Sequence, residues 1–207
     1  MKRDKWLFWD IGGVIMKVGY TEFCADLSRL FKTDNRKIIY FFEGENPPIW
    51  HEMEKGWVSL RIYEKISHHF KIYPPFDLFE IAFNSMCSGP VDELRFSRIS
   101  GQLFEHGVKQ GIISNINYMH TRAFEDKFER LLTHIPPEFR FYSCEHILRK
   151  PDKNFYKAVF KITGASPKNS FFVDDRAENV VAFPGTGFMF FNYTFLDYCL
   201  ALNGLIP

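Results

Sequence analysis

The pattern of apolar and polar positions changes character along the chain. Near the start, "KWLFWD" is a short continuous apolar run ending on a carboxylate, followed by the turn-forming "IGGV". A run of that length bounded by glycines predicts a buried strand. From about residue 20 to residue 106 the spacing is helical, with no convincing strand. "TEFCADLSRLF" offers Thr21 as an N-cap and Glu22 for the first turn. "WVSLRIYEKISHHF" repeats apolar residues at helical intervals, and "PPFDLFEIAFNSM" starts behind two prolines. "VDELRFSRISGQLFEHG" runs to Gly107, a suitable helix stop. Beyond it the period switches. Strands are predicted at "GIISN", "FRFYSC", "SFFVDD" and "GFMFFN", helices at "RAFEDKFERLLTH" and "DKNFYKAVFKITG", and a short helix follows the last strand.

Strands alternating with helices imply parallel pairing, with helices on both faces. The expected fold class is therefore α/β: a Rossmann-like parallel sheet core carrying an inserted helical cap. The expected division is a core of residues 1–18 and 100–207 and a cap of residues 19–99. An insertion placed after the first strand would sit over the carboxyl ends of the strands, where open α/β sheets bind ligands.

Composition narrows the partners. The chain has 207 residues, 46% hydrophobic and 18% aromatic with 24 Phe, enough for a sizeable core. Its 26 basic and 25 acidic residues give a net charge of +1, which supplies no global attraction to nucleic acid or an anionic membrane. No apolar run has the length of a membrane span, and Asp10 cuts the first one too short for a signal peptide. Cys24, Cys87, Cys144 and Cys199 are widely spaced, without a metal-like pattern, and suit idle thiols in a reducing cytoplasm. The expectation is a cytoplasmic protein, a monomer or homodimer, with a small-molecule partner and neither nucleic acid nor membrane.

Polar residues recur at the predicted strand ends. Asp10 follows the first strand, Ser114 and Asn115 follow "GII", and Asp174 and Asp175 follow "SFFV"; Lys150 precedes a helix in "LRKPD". Any one of these is an ordinary turn or cap residue. Together they suggest a site. Three converging carboxylates are unfavourable unless a proton or cation neutralises them, and oxygen ligands of this kind suit Mg2+ alongside a substrate phosphate. Lys150 would add positive charge, Ser114 would hold phosphate oxygens, and a carboxylate could attack phosphorus. Gly12 would let the backbone turn tightly, presenting its carbonyl to the metal.

These residues carry a family resemblance. "WDIGGVI", "IISN", "LRKPDKNFY" and "FFVDDRAEN" resemble, in order and spacing, the four motifs of the haloacid dehalogenase superfamily of hydrolases, over nearly the whole chain. The insertion is similar to that family's small helical (C1-type) cap, and "WHEMEKGWVS" resembles a cap turn whose glycine, here Gly56, faces substrate. The resemblance implies Asp10 as nucleophile and Mg2+ as cofactor, held by Asp10, Gly12, Asp174 and Asp175. It also implies phosphate contacts from Ser114 and Lys150, support from Asn115, and a hydrogen bond within the metal site from Asn179. The implied activity is a phosphatase acting on a small phosphorylated metabolite through an aspartyl-phosphate.

One departure bears on activity. Most phosphatases of the family carry a second aspartate two residues after the nucleophile, as general acid and base; here that position is Gly12. Losing such a group typically costs about 10²–10⁴ in rate. A subgroup similar to sugar-phosphate phosphatases shares a DxGxV motif, so glycine does not exclude turnover. His51 and Glu54 of the cap are conceivable replacements. Two alternatives follow: a catalytically impaired protein that binds a phospholigand or a partner, and a dehalogenase. In the latter, Asp174 and Asp175 would be a liability beside Asp10. Lys153, Lys157 and Lys161 read as a solvated helix face, His68 and His69 as ordinary helix residues, and "GTGF" does not complete a dinucleotide loop.

Overall fold

The computed structural model describes residues 4–45 and 47–207; residues 1–3 of the expected core segment lie outside the described residues. Five parallel strands form the main sheet in the order β5-β4-β1-β6-β7, where β1 is Trp6–Trp9, β4 Lys109–Ser114, β5 Arg140–Tyr142, β6 Ser170–Asp174 and β7 Thr186–Met189. Two further strands, β2 (Met16–Val18) and β3 (Cys87–Pro90), pair antiparallel outside it. Five helices lie between β2 and β3: α1 (Tyr20–Leu30), α2 (Asn35–Glu43), α3 (Trp50–Met53), α4 (Ser59–Phe70) and α5 (Phe76–Asn84). The remaining helices belong to the sheet: α6 (Glu93–Glu105), α7 (Tyr118–Phe128), α8 (Ser143–His146), α9 (Lys153–Thr163), α10 (Ala177–Ala182) and α11 (Tyr193–Leu202).

The apolar strands are apolar throughout because both faces of the sheet are covered. Side chains still alternate. Leu7, Trp9, Ile112 and Val173 enter one buried cluster with Phe96, Phe124 and Leu196. Trp6, Phe8, Ile113 and Phe172 enter the opposite one with Phe155, Tyr156 and Phe183. Gln110 is a polar residue buried inside the sheet, and it is satisfied: Trp9 Nε1 and Ser100 Oγ donate to its Oε1, and its Nε2 donates to Ser100 O.

The cap has its own core, in which Phe23, Phe31, Phe42, Phe79 and Phe83 are buried against one another. It is joined to the sheet domain by β2 and β3, where Gly19 N donates to Met86 O and Val91 N to Ile15 O. This corrects two expectations. β3 lies inside the stretch expected to hold no strand. The boundary expected at residue 99 falls inside α6, whose Phe96, Ile99 and Leu103 pack on the sheet rather than in the cap. Thr21 is likewise not a cap: α1 is preceded by Gly19 and has no side-chain cap bond. No helix among the described residues is long and apolar enough to cross a membrane.

Candidate active site

The strand order places β1 between β4 and β6, the position at which the chain's direction across the sheet reverses and where such sheets hold ligands. Trp9 is level with Val173, so Asp10 and Asp174, one residue further along, stand side by side. Asp10 N donates to Val173 O at 2.9 Å, extending that pairing. Ser114 closes β4 on the other side, and its Oγ donates to Asp10 Oδ1 at 2.9 Å.

Lys150 ties the cluster together. Its Nζ lies 2.7 Å from Asp10 Oδ1 and 2.6 Å from Asp174 Oδ2, with the side chain 1% exposed. Burial alone would lower its pKa, but the two carboxylates outweigh burial and raise it. A loop holds Lys150, and Asn115 holds that loop. Asn115 Nδ2 donates to Lys150 O at 2.9 Å, and Lys150 N donates back to Asn115 Oδ1 at 2.7 Å. The Asn115 side chain is therefore engaged with the Lys150 main chain and positions the loop that carries the ammonium.

The two acids of the "VDD" stretch divide their work. Asp174 accepts four hydrogen bonds: from Arg176 N (2.8 Å) and Asn179 Nδ2 (3.0 Å) on Oδ1, and from Lys150 Nζ and Asn179 Nδ2 (3.0 Å) on Oδ2. A carboxylate offers about four lone-pair positions, so Asp174 anchors Lys150 and Asn179 and has little left for a metal. Asn179 is steadied by Tyr156 OH, which donates to Asn179 O at 3.0 Å. Asp175 lies against Gly13. A Cβ at Gly13 would fall 2.2 Å from Asp175 Oδ2, and Gly13 has φ +75°. The tight turn thus belongs to Gly13, not to Gly12 as expected. At Gly12 a Cβ would meet only the end of the Val18 side chain, at 3.3 Å.

Oxygens of Asp10, Asp174 and Asp175 lie within 4.8 Å of one another. Burial, opposed by Lys150 and reinforced by Asp174, pushes Asp10 up to about 7. Asp175 is also raised, by burial and then by Asp174. Three carboxylates against one ammonium leave an excess of two negative charges. That excess and the oxygen donors fit a divalent cation.

A cavity of about 370 Å³ opens above this cluster, walled on the core side by Asp10, Gly12, Ser114 and Asp175 and on the cap side by Tyr20, Glu43, Trp50, His51 and Glu54. Gly56 does not line it. With φ +104°, it packs where a Cβ would lie 3.0 Å from Cys144 O, and the cavity is lined instead by His51 and Glu54, just before it. Glu54 Oε2 accepts from Arg149 Nε at 2.9 Å and Nη2 at 2.8 Å. Burial still leaves the Glu54 carboxyl raised. His51 is held toward neutrality by burial and then by Arg149. Arg149 was passed over in the sequence, although it adjoins Lys150 in "LRKPD". His120 was missed as well: its ring stacks on Phe83 at 4.7 Å, lies 3.0 Å from both Asn117 Nδ2 and Phe83 O, and is held neutral by burial.

The fold and site together define a capped α/β protein with an acidic cluster and a buried lysine at the carboxyl ends of its central strands. No family model matches the sequence. Among solved structures, the chain is similar to a haloacid dehalogenase (HAD) family enzyme from Bacteroides thetaiotaomicron: TM-score 0.74, 19% identity, over 91% of this chain and 94% of that one. That enzyme has also been solved in complex with magnesium and inorganic phosphate. A predicted HAD-like hydrolase from Porphyromonas gingivalis matches at TM-score 0.74 and 14% identity, over 96% and 98% of the two chains. The L-2-haloacid dehalogenase of Xanthobacter autotrophicus, with chloropropionic acid covalently bound, matches at TM-score 0.63 and 14% identity, over 99% and 85%. The chain has the HAD fold.

Proposed function

We propose that the protein is a Mg2+-dependent phosphomonoesterase acting on a small phosphorylated metabolite. The observation that carries this reading is the buried Lys150 ammonium bridging Asp10 and Asp174, with the Asp175 carboxylate beside them. The magnesium and phosphate complex of the Bacteroides enzyme supports it.

Asp10 Oδ1 already takes the bonds from Ser114 and Lys150, so Asp10 is the oriented nucleophile. Attack on phosphorus forms the bond from the Asp10 carboxylate and breaks the bond to the alcohol oxygen, which leaves with its electron pair and takes a proton. Lys150 offsets the charge of the phosphoryl oxygens, and Ser114 steers the carboxylate and, when it swings, a phosphoryl oxygen. Water then cleaves the aspartyl-phosphate, returning Asp10 and inorganic phosphate. Asp10, Asp175 and the Gly12 carbonyl would hold Mg2+, whose chemistry there is to offset phosphoryl charge. Gly12 provides no proton for the leaving alcohol. Of the cap groups considered for that task, Glu54 is engaged by Arg149, and His51 lines the cavity without such a partner.

A second reading, a binding protein without turnover, is favoured by Gly12 alone. Hydrolysis of p-nitrophenyl phosphate separates the two, because its leaving group scarcely needs an acid. Turnover that requires Mg2+, stops with chelator and disappears in Asp10→Asn establishes the phosphatase. Absent turnover with retained Mg2+ binding selects the binding protein. Metal-independent chemistry on a haloacid would overturn both.

A further inference from the structure

The charges lining the cavity do not balance on its cap side. Lys150 is shared by Asp10 and Asp174, Arg149 is paired with Glu54, and Arg176 with Glu178. His51 adds no cation, being held toward neutrality by burial and by Arg149. Asp175 belongs to the acidic cluster. Glu43 is different. Among the described residues it has no cationic partner, and its Oε1 accepts only from neutral donors, Trp50 Nε1 at 3.2 Å and Tyr20 OH at 3.3 Å.

Those donors are fixed. Trp50 stacks on Phe42 with ring centres 4.5 Å apart and planes 18° from parallel. Tyr20 stacks on Phe23 at 5.9 Å and 22°. The cap core thus aims two hydrogen-bond donors at one oxygen of a carboxylate and, among the described residues, leaves the other, Oε2, without a partner. Neutral donors steady an anion without cancelling its charge. Glu43 is itself exposed at the rim, so solvent moderates its pull but does not abolish it.

We propose that Glu43 selects phosphomonoesters whose alcohol carries a primary ammonium group, the phosphate resting at Lys150 and the ammonium at Glu43 Oε2. This specificity rests on the phosphatase reading of the Asp10 site. A neutral alcohol gains nothing from the carboxylate, and an acidic one is repelled by it. A ligand bearing opposite charges completes both walls of the cavity.

The test compares O-phosphoethanolamine and 4-aminobutyl phosphate with ethyl and butyl phosphate, as substrates of the full chain in Mg2+. The expected result is a kcat/KM about fivefold higher for at least one amino ester than for its alkyl counterpart, the upper end for a solvated ion pair. Glu43→Gln should bring that ratio close to one. Glutamine keeps an oxygen for Tyr20 and Trp50, so a merely structural role for Glu43 would leave the ratio intact and overturn the proposal. Equal rates for both ester classes with active p-nitrophenyl phosphate hydrolysis also overturn it, while the phosphatase reading stands. Should nothing turn over, the phosphatase reading fails and calorimetric binding of the same esters decides. Tighter binding of an amino ester, lost in Glu43→Gln, sustains the selectivity, and equal or absent binding ends it.

Discussion

Arg149 and Glu54 form an ion pair across the junction of cap and core, two guanidinium nitrogens converging on one carboxylate oxygen at 2.8 and 2.9 Å. Arg149 immediately precedes Lys150, so the cap is fastened to the segment that carries the buried ammonium. Both side chains are largely buried, at 15% and 16% exposure. Removing one partner leaves the other as an unpaired charge in a poor solvent. Arg149→Met should cost about 2 kcal/mol of stability, the usual worth of a charged hydrogen bond, read from the urea unfolding midpoint. Replacing both residues, as Arg149→Met with Glu54→Leu, should recover part of that loss. An unchanged midpoint in the single variant would show that solvent already screens the pair.

Restoring an acid at position 12 should help poor leaving groups more than good ones. Gly12 lies outside the left-handed region, and a Cβ there meets only the end of the Val18 side chain. Gly12→Asp is therefore expected to fold and to raise kcat on an alkyl phosphate by about 10²-fold, at the lower end of general acid catalysis. The gain on p-nitrophenyl phosphate should be much smaller. Equal gains on both esters would mean that proton transfer to the alcohol is not what limits turnover.

Asp10 should be a stability liability. Asp10 shares a buried site with Asp174, and burial followed by Asp174 opposes its ionisation despite Lys150. Asp10→Asn removes one charge from that crowd while keeping an oxygen for Ser114. It should abolish turnover and, in chelator, raise Tm by several degrees, a common outcome when a strained active-site charge is neutralised. A lower Tm would show that the ion pair with Lys150 outweighs the repulsion.

His120 should give the fold an acid-sensitive slope. Burial holds it at about 4, below the ordinary 6.5. Between those two values the unfolded chain binds more protons than the folded one, so stability is full above 6.5 and falls as the pH drops toward 4. The loss amounts to about 3 kcal/mol across that window. His51 and His146 are displaced in the same direction by burial, so His120→Gln should reduce the slope rather than erase it. Unfolding curves at pH 7.5, 6 and 5 would show whether the variant is flatter than the parent.

The sheet was legible in the sequence because β1 and the middles of β4 and β6 are buried on both faces and read as short apolar runs. β3 was not, since "CSGP" shows neither alternation nor apolar continuity and exists by pairing with β2. The limits of the cap were misjudged for a related reason: α6 has the same helical period whether its Phe96 packs on cap or sheet. Asp10, Ser114, Lys150 and Asp175 stood out as polar residues at strand or helix ends. The parts played by Asn115 and Asp174 depend on partners 35 and 24 residues away, which no local spacing reveals. Glu43 gave no signal, because it closes a Phe-rich helix and acquires meaning only beside Tyr20 and Trp50.

The β2–β3 ribbon sets how the halves of this molecule can move. Both passages of the chain between sheet domain and cap run through it, hydrogen-bonded side by side at Gly19–Met86 and Ile15–Val91. Sliding one passage past the other would break those bonds, whereas flexing the pair out of plane would keep them. The ribbon therefore acts as a leaf hinge with one soft direction. Any such bend would have to break the grip of Glu54 on Arg149, which ties the cap to the segment carrying Lys150.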